Sequence, residues 1–201
     1  MTALNLHGGS AVISSADQLH VNTDAERAEW TRAVSFLAPT LYTLRSGHDM
    51  PDPSDQFSDR WAFTAGNLRF VGFYVGGDMS VGATDLAFIE AELIALGGLV
   101  PVLVAHHPMS TTFLDPVAAG LGREEMLTFL STYNVPLYLS GHRHMVLASD
   151  FVDSLSTVNV SGPAGMDRNF MVIESYADRI EIASYLYITP YSVASKITVN
   201  I

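Results

Sequence analysis

The chain has 201 residues, 48% of them hydrophobic, with a formal net charge of −11 and no cysteine. That length suffices for a single domain around one core, and the missing thiols remove disulfides and thiolate metal ligation from consideration. No apolar run approaches the ~20 residues of a membrane span, Met1 to Leu6 has neither the basic start nor the apolar centre of a signal peptide, and the acidic balance argues against a partner that wraps nucleic acid.

The expectation from these bounds is one soluble, cytoplasmic domain over residues 1–201. A small phosphate ester stays open as a substrate, because bound divalent cations reverse the local sign of charge.

In chain order, Ala11 to Ser15 reads as a strand, and Asp24 to Leu37 as a helix with Trp30, Val34 and Leu37 at helical spacing and Thr23 or Asp24 as its N-cap. Leu41 to Leu44 is the next strand. The proline- and aspartate-rich stretch Met50 to Asp59 is a solvated loop, since Pro51 and Pro53 break the spacing of a calcium loop. A hairpin follows, Trp61 to Thr64 and Leu68 to Tyr74, turned at Gly66-Asn67, and Gly76-Gly77-Asp78 is a turn.

Thr84 to Leu96 sets Leu86, Phe88, Ile89, Leu93 and Leu96 on one helical face and stops at Gly97-Gly98. Leu99 to Ala105 is then a buried strand. A second such unit runs from helix Arg123 to Tyr133 into strand Val135 to Leu139. Thr157 to Val160, Asn169 to Glu174, Ile180 to Tyr187 and Ser195 to Ile201 complete the chain as strands. The alternation predicts an α/β arrangement.

Histidine is what strand patterning does not explain. His48, His106, His107, His142 and His144, five of the seven in the chain, gather at a few junctions. Val104-Ala105-His106-His107-Pro108 and Ser140-Gly141-His142-Arg143-His144 each follow an apolar run directly. Imidazoles projected from strand ends can meet at a common cation, as a hydrolytic metal centre requires. The bland alternative is a set of satisfied core or loop histidines, which needs three of them to converge by accident. His20 reads as a loop residue.

With Asp17 after the first strand and Ser46-Gly47-His48-Asp49 after the second, the order of these strings resembles the calcineurin-like metallophosphoesterase family along most of the chain. His-His-Pro and Gly-His-x-His match that family's last two motifs in order and separation. The resemblance implies a sandwich of two mixed β-sheets flanked by helices, with one or two divalent ions (Mn, Fe, Zn or Mg) at the strand ends and a phosphomonoester or phosphodiester as substrate.

Carried over residue by residue, it implies that Asp17 bridges two metals, that His106 and His142 bind one of them, and that His144 binds the other. His48 would act at the leaving-group oxygen with Asp49 orienting its ring. Two cations ~3.5–4 Å apart would polarise the phosphoryl group and lower the pKa of a bridging water. His107 reads as a supporting or substrate-side residue.

The departures also count. Gly47 stands where the family has a ligating asparagine, Ala16 stands where it has glycine, and the first Asp-x-His motif has no full counterpart. Asn5-Leu6-His7 has the outline of that motif, but Gly8-Gly9-Ser10 leaves no room for the helix that should follow it. The expectation is therefore a family member without its first strand and helix, its site mononuclear or weakly loaded. Asp17 has a bland reading as a turn residue, and so does the His48-Asp49 pair. Two functions follow: a metal-dependent phosphoesterase, or a non-catalytic binding or assembly module with a decayed site. A strand edge left bare would also favour self-association into a homo-oligomer.

Overall fold

The computed structural model describes residues 9–16, 18, 22–50, 57–76, 78–112, 117, 122–143, 148–161, 169–186 and 192–201. The elements in them are β1 (Ala11–Ser14), α1 (Asp24–Val34), β2 (Thr40–Thr43), β3 (Arg60–Ala65), β4 (Leu68–Phe73), α2 (Ala83–Ile94) and β5 (Val100–Ala105). They continue with α3 (Arg123–Thr132), β6 (Leu137–Ser140), β7 (Ala148–Phe151), β8 (Val158–Ser161), β9 (Asn169–Ser175), β10 (Arg179–Leu186) and β11 (Ser192–Asn200).

Six strands form the central sheet in the order β3-β4-β5-β6-β8-β7. Its middle pairings, β4 with β5, β5 with β6 and β6 with β8, are parallel, and the outer strands β3 and β7 pair antiparallel. Successive side chains of a strand point to opposite faces. On one face Val71, Phe73, Leu103, Ala105 and Tyr138 pack against Ile89 and Leu93 of α2 and Met126 and Leu130 of α3. On the other, Leu68, Phe70, Val102, Val104, Leu137, Leu139 and Val160 pack against Ile180, Ile182 and Val199. With both faces covered, β5 is apolar throughout and β6 is buried along its whole length up to the polar Ser140, which is why their sequences do not alternate.

The second layer consists of the antiparallel sheet β11-β10-β9 and the parallel pair β1-β2. Tyr42 of β2 stacks on Phe63 of β3 with ring centroids 3.9 Å apart, and Trp61 Nε1 donates to the Thr43 carbonyl at 2.9 Å. These contacts set the β1-β2 pair against the central sheet. The result is an α/β sandwich flanked by helices.

Thr23 caps α1 with its hydroxyl on the Glu26 amide, and Glu26 returns a bond to the Thr23 amide, both at 3.2 Å. Such a reciprocal cap contributes about 1 kcal/mol. α1 ends at Val34, short of Leu37, where an i to i+3 bond from the Leu37 amide to the Val34 carbonyl tightens the last turn. Strand β7 carries no strand signal in sequence, because Ala-Ser-Asp-Phe has neither an apolar run nor apolar alternation, and its one aromatic, Phe151, is exposed. No helix among the described residues is long and apolar enough to cross a membrane.

Candidate functional site

Parallel pairing brings the two histidine strings together. Ala105 and Ser140 are the last partners of β5 and β6, and the Gly141 amide then donates to the His106 carbonyl at 3.0 Å, extending the ladder by one step. His106 and Gly141-His142 therefore leave the sheet side by side. The end of β1 arrives at the same place: His106 Nδ1 lies 3.0 Å from the Ser15 carbonyl oxygen, across 91 residues of chain. A β-carbon added to Gly141 would lie 2.7 Å from Ser15 Oγ, 3.4 Å from the Ser15 carbonyl oxygen and 3.5 Å from His106 Nδ1, so the three segments approach closely here and a larger residue would have to turn the Ser15 side chain aside.

A carbonyl only accepts, so His106 holds its ring proton on Nδ1 and keeps the Nε2 lone pair for another partner. That Nε2 sits 3.0 Å from His142 Nδ1. The ring of His107 lies 4.9 Å from that of His106 and 4.5 Å from that of His142, centroid to centroid. One nitrogen from each of the three rings falls within 4.8 Å of the others, a spacing from which a single cation could be held. His106 and His107 are buried, and His142 is half-buried.

Of the residues expected to bind metal, His106 and His142 meet in this cluster, and His107, expected in a supporting or substrate-side place, is its third member. Asp17 and His144 lie outside the described residues, as do His7, His20 and the segment 51–56. His48 is exposed on a turn after β2 and its amide donates to Ser46 Oγ at 3.2 Å. Asp49 is fully buried, with Oδ2 accepting from the Ser46 amide at 2.9 Å and the Ser46 hydroxyl at 3.0 Å, which closes the turn on which His48 stands. Gly47 is exposed, and a β-carbon there would meet nothing within 4 Å, so packing does not impose that glycine.

Two supports escaped sequence reasoning. Tyr138 of β6 donates its hydroxyl to the His107 carbonyl at 3.0 Å, and burial pushes its phenol far above the ordinary range, so it remains a donor. Buried Arg123, at the start of α3, donates to the Met109 carbonyl at 2.7 Å and pairs with Asp153 at 2.7 Å. A charged residue at a helix start gives no sign in the sequence that it will be buried.

Backbone strain gathers here as well. His142 has φ 63° and Ala16, next to Ser15, has φ 82°, both left-handed conformations that cost a side chain about 1–2 kcal/mol. Ala16 stands where the resembled family has glycine. Ala16→Gly is expected to raise stability by about 1 kcal/mol, seen as an increase of ~2–4 °C in Tm; an unchanged or lower Tm in thermal melts would count against strain at this position.

No family model matches the sequence, and no curated protein matches it. Solved structures do. Over 99% of its length the chain is similar to a dimetal phosphatase from Danio rerio, at 14% identity and a TM-score of 0.76, covering 86% of that chain. The fold is that of the metallophosphoesterases. GAP50, described as the anchor in the inner membrane complex of Plasmodium, is similar over all of this chain and 81% of its own, at 12% identity and a TM-score of 0.71. The purple acid phosphatase PPD1 of yellow lupin (Lupinus luteus) seeds gives 13% identity and a TM-score of 0.71 over 96% of this chain, which spans 47% of the lupin protein.

Proposed function

We propose that this chain hydrolyses a small phosphate ester with the help of a divalent metal ion held by His106, His142 and His107. The observation that carries the reading is the convergence of three imidazoles in which the Ser15 carbonyl fixes the His106 proton on Nδ1 and leaves Nε2 for a ligand. The donor set fits a metal of borderline softness: nitrogen ligands suit zinc, iron or manganese better than magnesium, which prefers an oxygen shell. Similarity of fold to two phosphatases supports the reaction class.

When bound, such a cation supplies Lewis acidity, polarising a phosphoryl oxygen and lowering the pKa of water. The residues of the chain do the positioning. Ser15 sets the tautomer of His106, and Tyr138 restrains the His107 backbone. Asp17 and His144 complete the ligand set in this proposal. His48, on the turn braced by Asp49, donates a proton to the leaving-group oxygen. Hydrolysis of a nitrophenyl phosphodiester with added Mn²⁺ tests the proposal: turnover that disappears in His142→Ala supports it, and turnover that is absent or independent of metal overturns it.

A second reading is a binding or assembly module of the same fold. Gly47, in the place of a ligating asparagine although nothing crowds that position, favours it, as does the similarity to a protein described as an anchor. Absent turnover together with intact metal binding would select this reading.

A further inference from the structure

The polar side chain Asn159 lies in the middle of β8, fully buried, between Val158 and Val160. Its amide is satisfied on all sides. Oδ1 accepts from the Met109 amide at 2.7 Å and the Ser110 amide at 3.1 Å, while Nδ2 donates to Ser140 Oγ at 3.0 Å and the Tyr138 carbonyl at 3.4 Å. The two backbone donors fix which end of the amide is oxygen.

Each pair of partners adjoins one histidine string. Met109 and Ser110 follow His106-His107-Pro108, and Ser140 precedes Gly141-His142. The Met109 carbonyl is held from the other side by Arg123, so Met109 is gripped at both its polar backbone groups. A single side chain thus spans the two connections that deliver the three rings. An apolar core residue would pack in the same space and leave two loop amides buried without an acceptor.

We propose that Asn159 is a positioning residue of the histidine site, setting the separation of His106 and His107 from His142 by bracing the loop after β5 to the end of β6. The proposal rests on the reading of those three histidines as a metal site for its consequence in metal affinity, and on the hydrogen bonds alone for its consequence in ring geometry. The two can therefore fail separately.

The test compares Asn159→Leu with Thr157→Val. Thr157 is buried on the same chain segment and its hydroxyl donates to the Val135 carbonyl, at the strand ends remote from the histidines. Metal-free protein is examined first, by the nitrogen shifts of the imidazole rings and by amide hydrogen exchange at Met109 and Ser110. Asn159→Leu is expected to mix the tautomers of His106 and to speed exchange at both amides on the order of 100-fold, with Thr157→Val leaving both as in the wild type. Titration with Co²⁺, followed by its visible absorption, is then expected to show affinity lower by on the order of 10–100-fold in Asn159→Leu alone.

Wild-type ring shifts in Asn159→Leu, or an equal disturbance by Thr157→Val, would overturn the proposal. If the wild type does not bind Co²⁺, the metal reading falls and the metal-free spectra still decide the role of Asn159. Should Asn159→Leu not fold, Asn159→Ser, too short to reach the loop amides, is expected to give the same ring and exchange changes; wild-type behaviour there would again overturn it.

Discussion

Alanine in place of His106 is expected to weaken binding of Zn²⁺ by at least about 100-fold, equivalent to about 3 kcal/mol. His106, His107 and His142 are the nitrogen ligands of the proposed set, and removing one of them weakens the hold on a cation even with Asp17 and His144 in place. His106 is also the ring whose proton is placed by the protein, so its removal deletes the donor with the best-defined geometry. His107→Ala separates two versions of the site. If His107 is a ligand, its loss is as large as that of His106; if it only lines the site, affinity changes by about threefold or less, because the remaining ligands persist.

His48→Ala completes the comparison. A proton donor that does not touch the metal is expected to leave affinity unchanged and to lower turnover by ~10²–10⁴-fold. Isothermal titration of the metal-free variants at one pH, alongside the nitrophenyl phosphodiester assay, measures all three. Unchanged Zn²⁺ affinity in both His106→Ala and His107→Ala would show that the imidazole cluster does not bind metal.

Gly122→Ala is expected to be strongly destabilising for a single added methyl. Gly122 caps α3 with φ 84°, and a β-carbon there would lie 2.4 Å from the Val81 carbonyl oxygen and 3.1 Å from the Val81 β-carbon. The obstruction is backbone, so a rotamer change cannot relieve it. Conformational strain of about 1–2 kcal/mol and a forced backbone shift together come to about 3–4 kcal/mol. For a chain of this size that is a loss of roughly 10 °C in Tm.

The effect should not stop at stability. Arg123, the next residue, holds the Met109 carbonyl two positions beyond His107, so displacing the start of α3 is expected to lower Zn²⁺ affinity by about threefold or more. Thermal melts of metal-free protein and titration of the folded variant measure the two parts. A Tm within about 2 °C of the wild type would show that the Gly122 and Val81 backbones separate readily.

Much of this architecture was legible because burial on two faces leaves a strong trace. Val102, Leu103, Val104 and Ala105 form an unbroken apolar run for the reason that no side of β5 meets water, and the histidines after it could be placed at a strand end from that run alone. The apolar face of α2 was readable in the same way, and α3 was readable as a helix. β7 was not, since its Ser149-Asp150 centre reads as loop and only pairing with β8 makes it a strand. Asp150 is instead fastened by hydrogen bonds from the Thr112 hydroxyl and the Phe151 amide, which hold its carboxyl below the usual range.

The site divided along similar lines. Residue type and order pointed to His106 and His142, but whether His107 turns toward them or toward a substrate depends on a loop conformation that Tyr138, Arg123 and Asn159 impose from other elements. The Ser15 carbonyl is beyond sequence reasoning altogether, because every residue has a carbonyl and only the meeting of β1 with β5 selects this one. Val-Asn-Val in β8 did offer a cue: a polar side chain at the centre of an apolar strand needs partners.

Placing the imidazoles on the first residues beyond interior strands has an evolutionary corollary. Those strands are locked by neighbours on both sides, whereas loops in general can be lengthened or recoloured with little effect on a scaffold. Ring geometry and the selectivity of whatever the site binds can then reside in different parts of the polypeptide. Descendants of such a chain could change what they bind without rebuilding the imidazole cluster beneath.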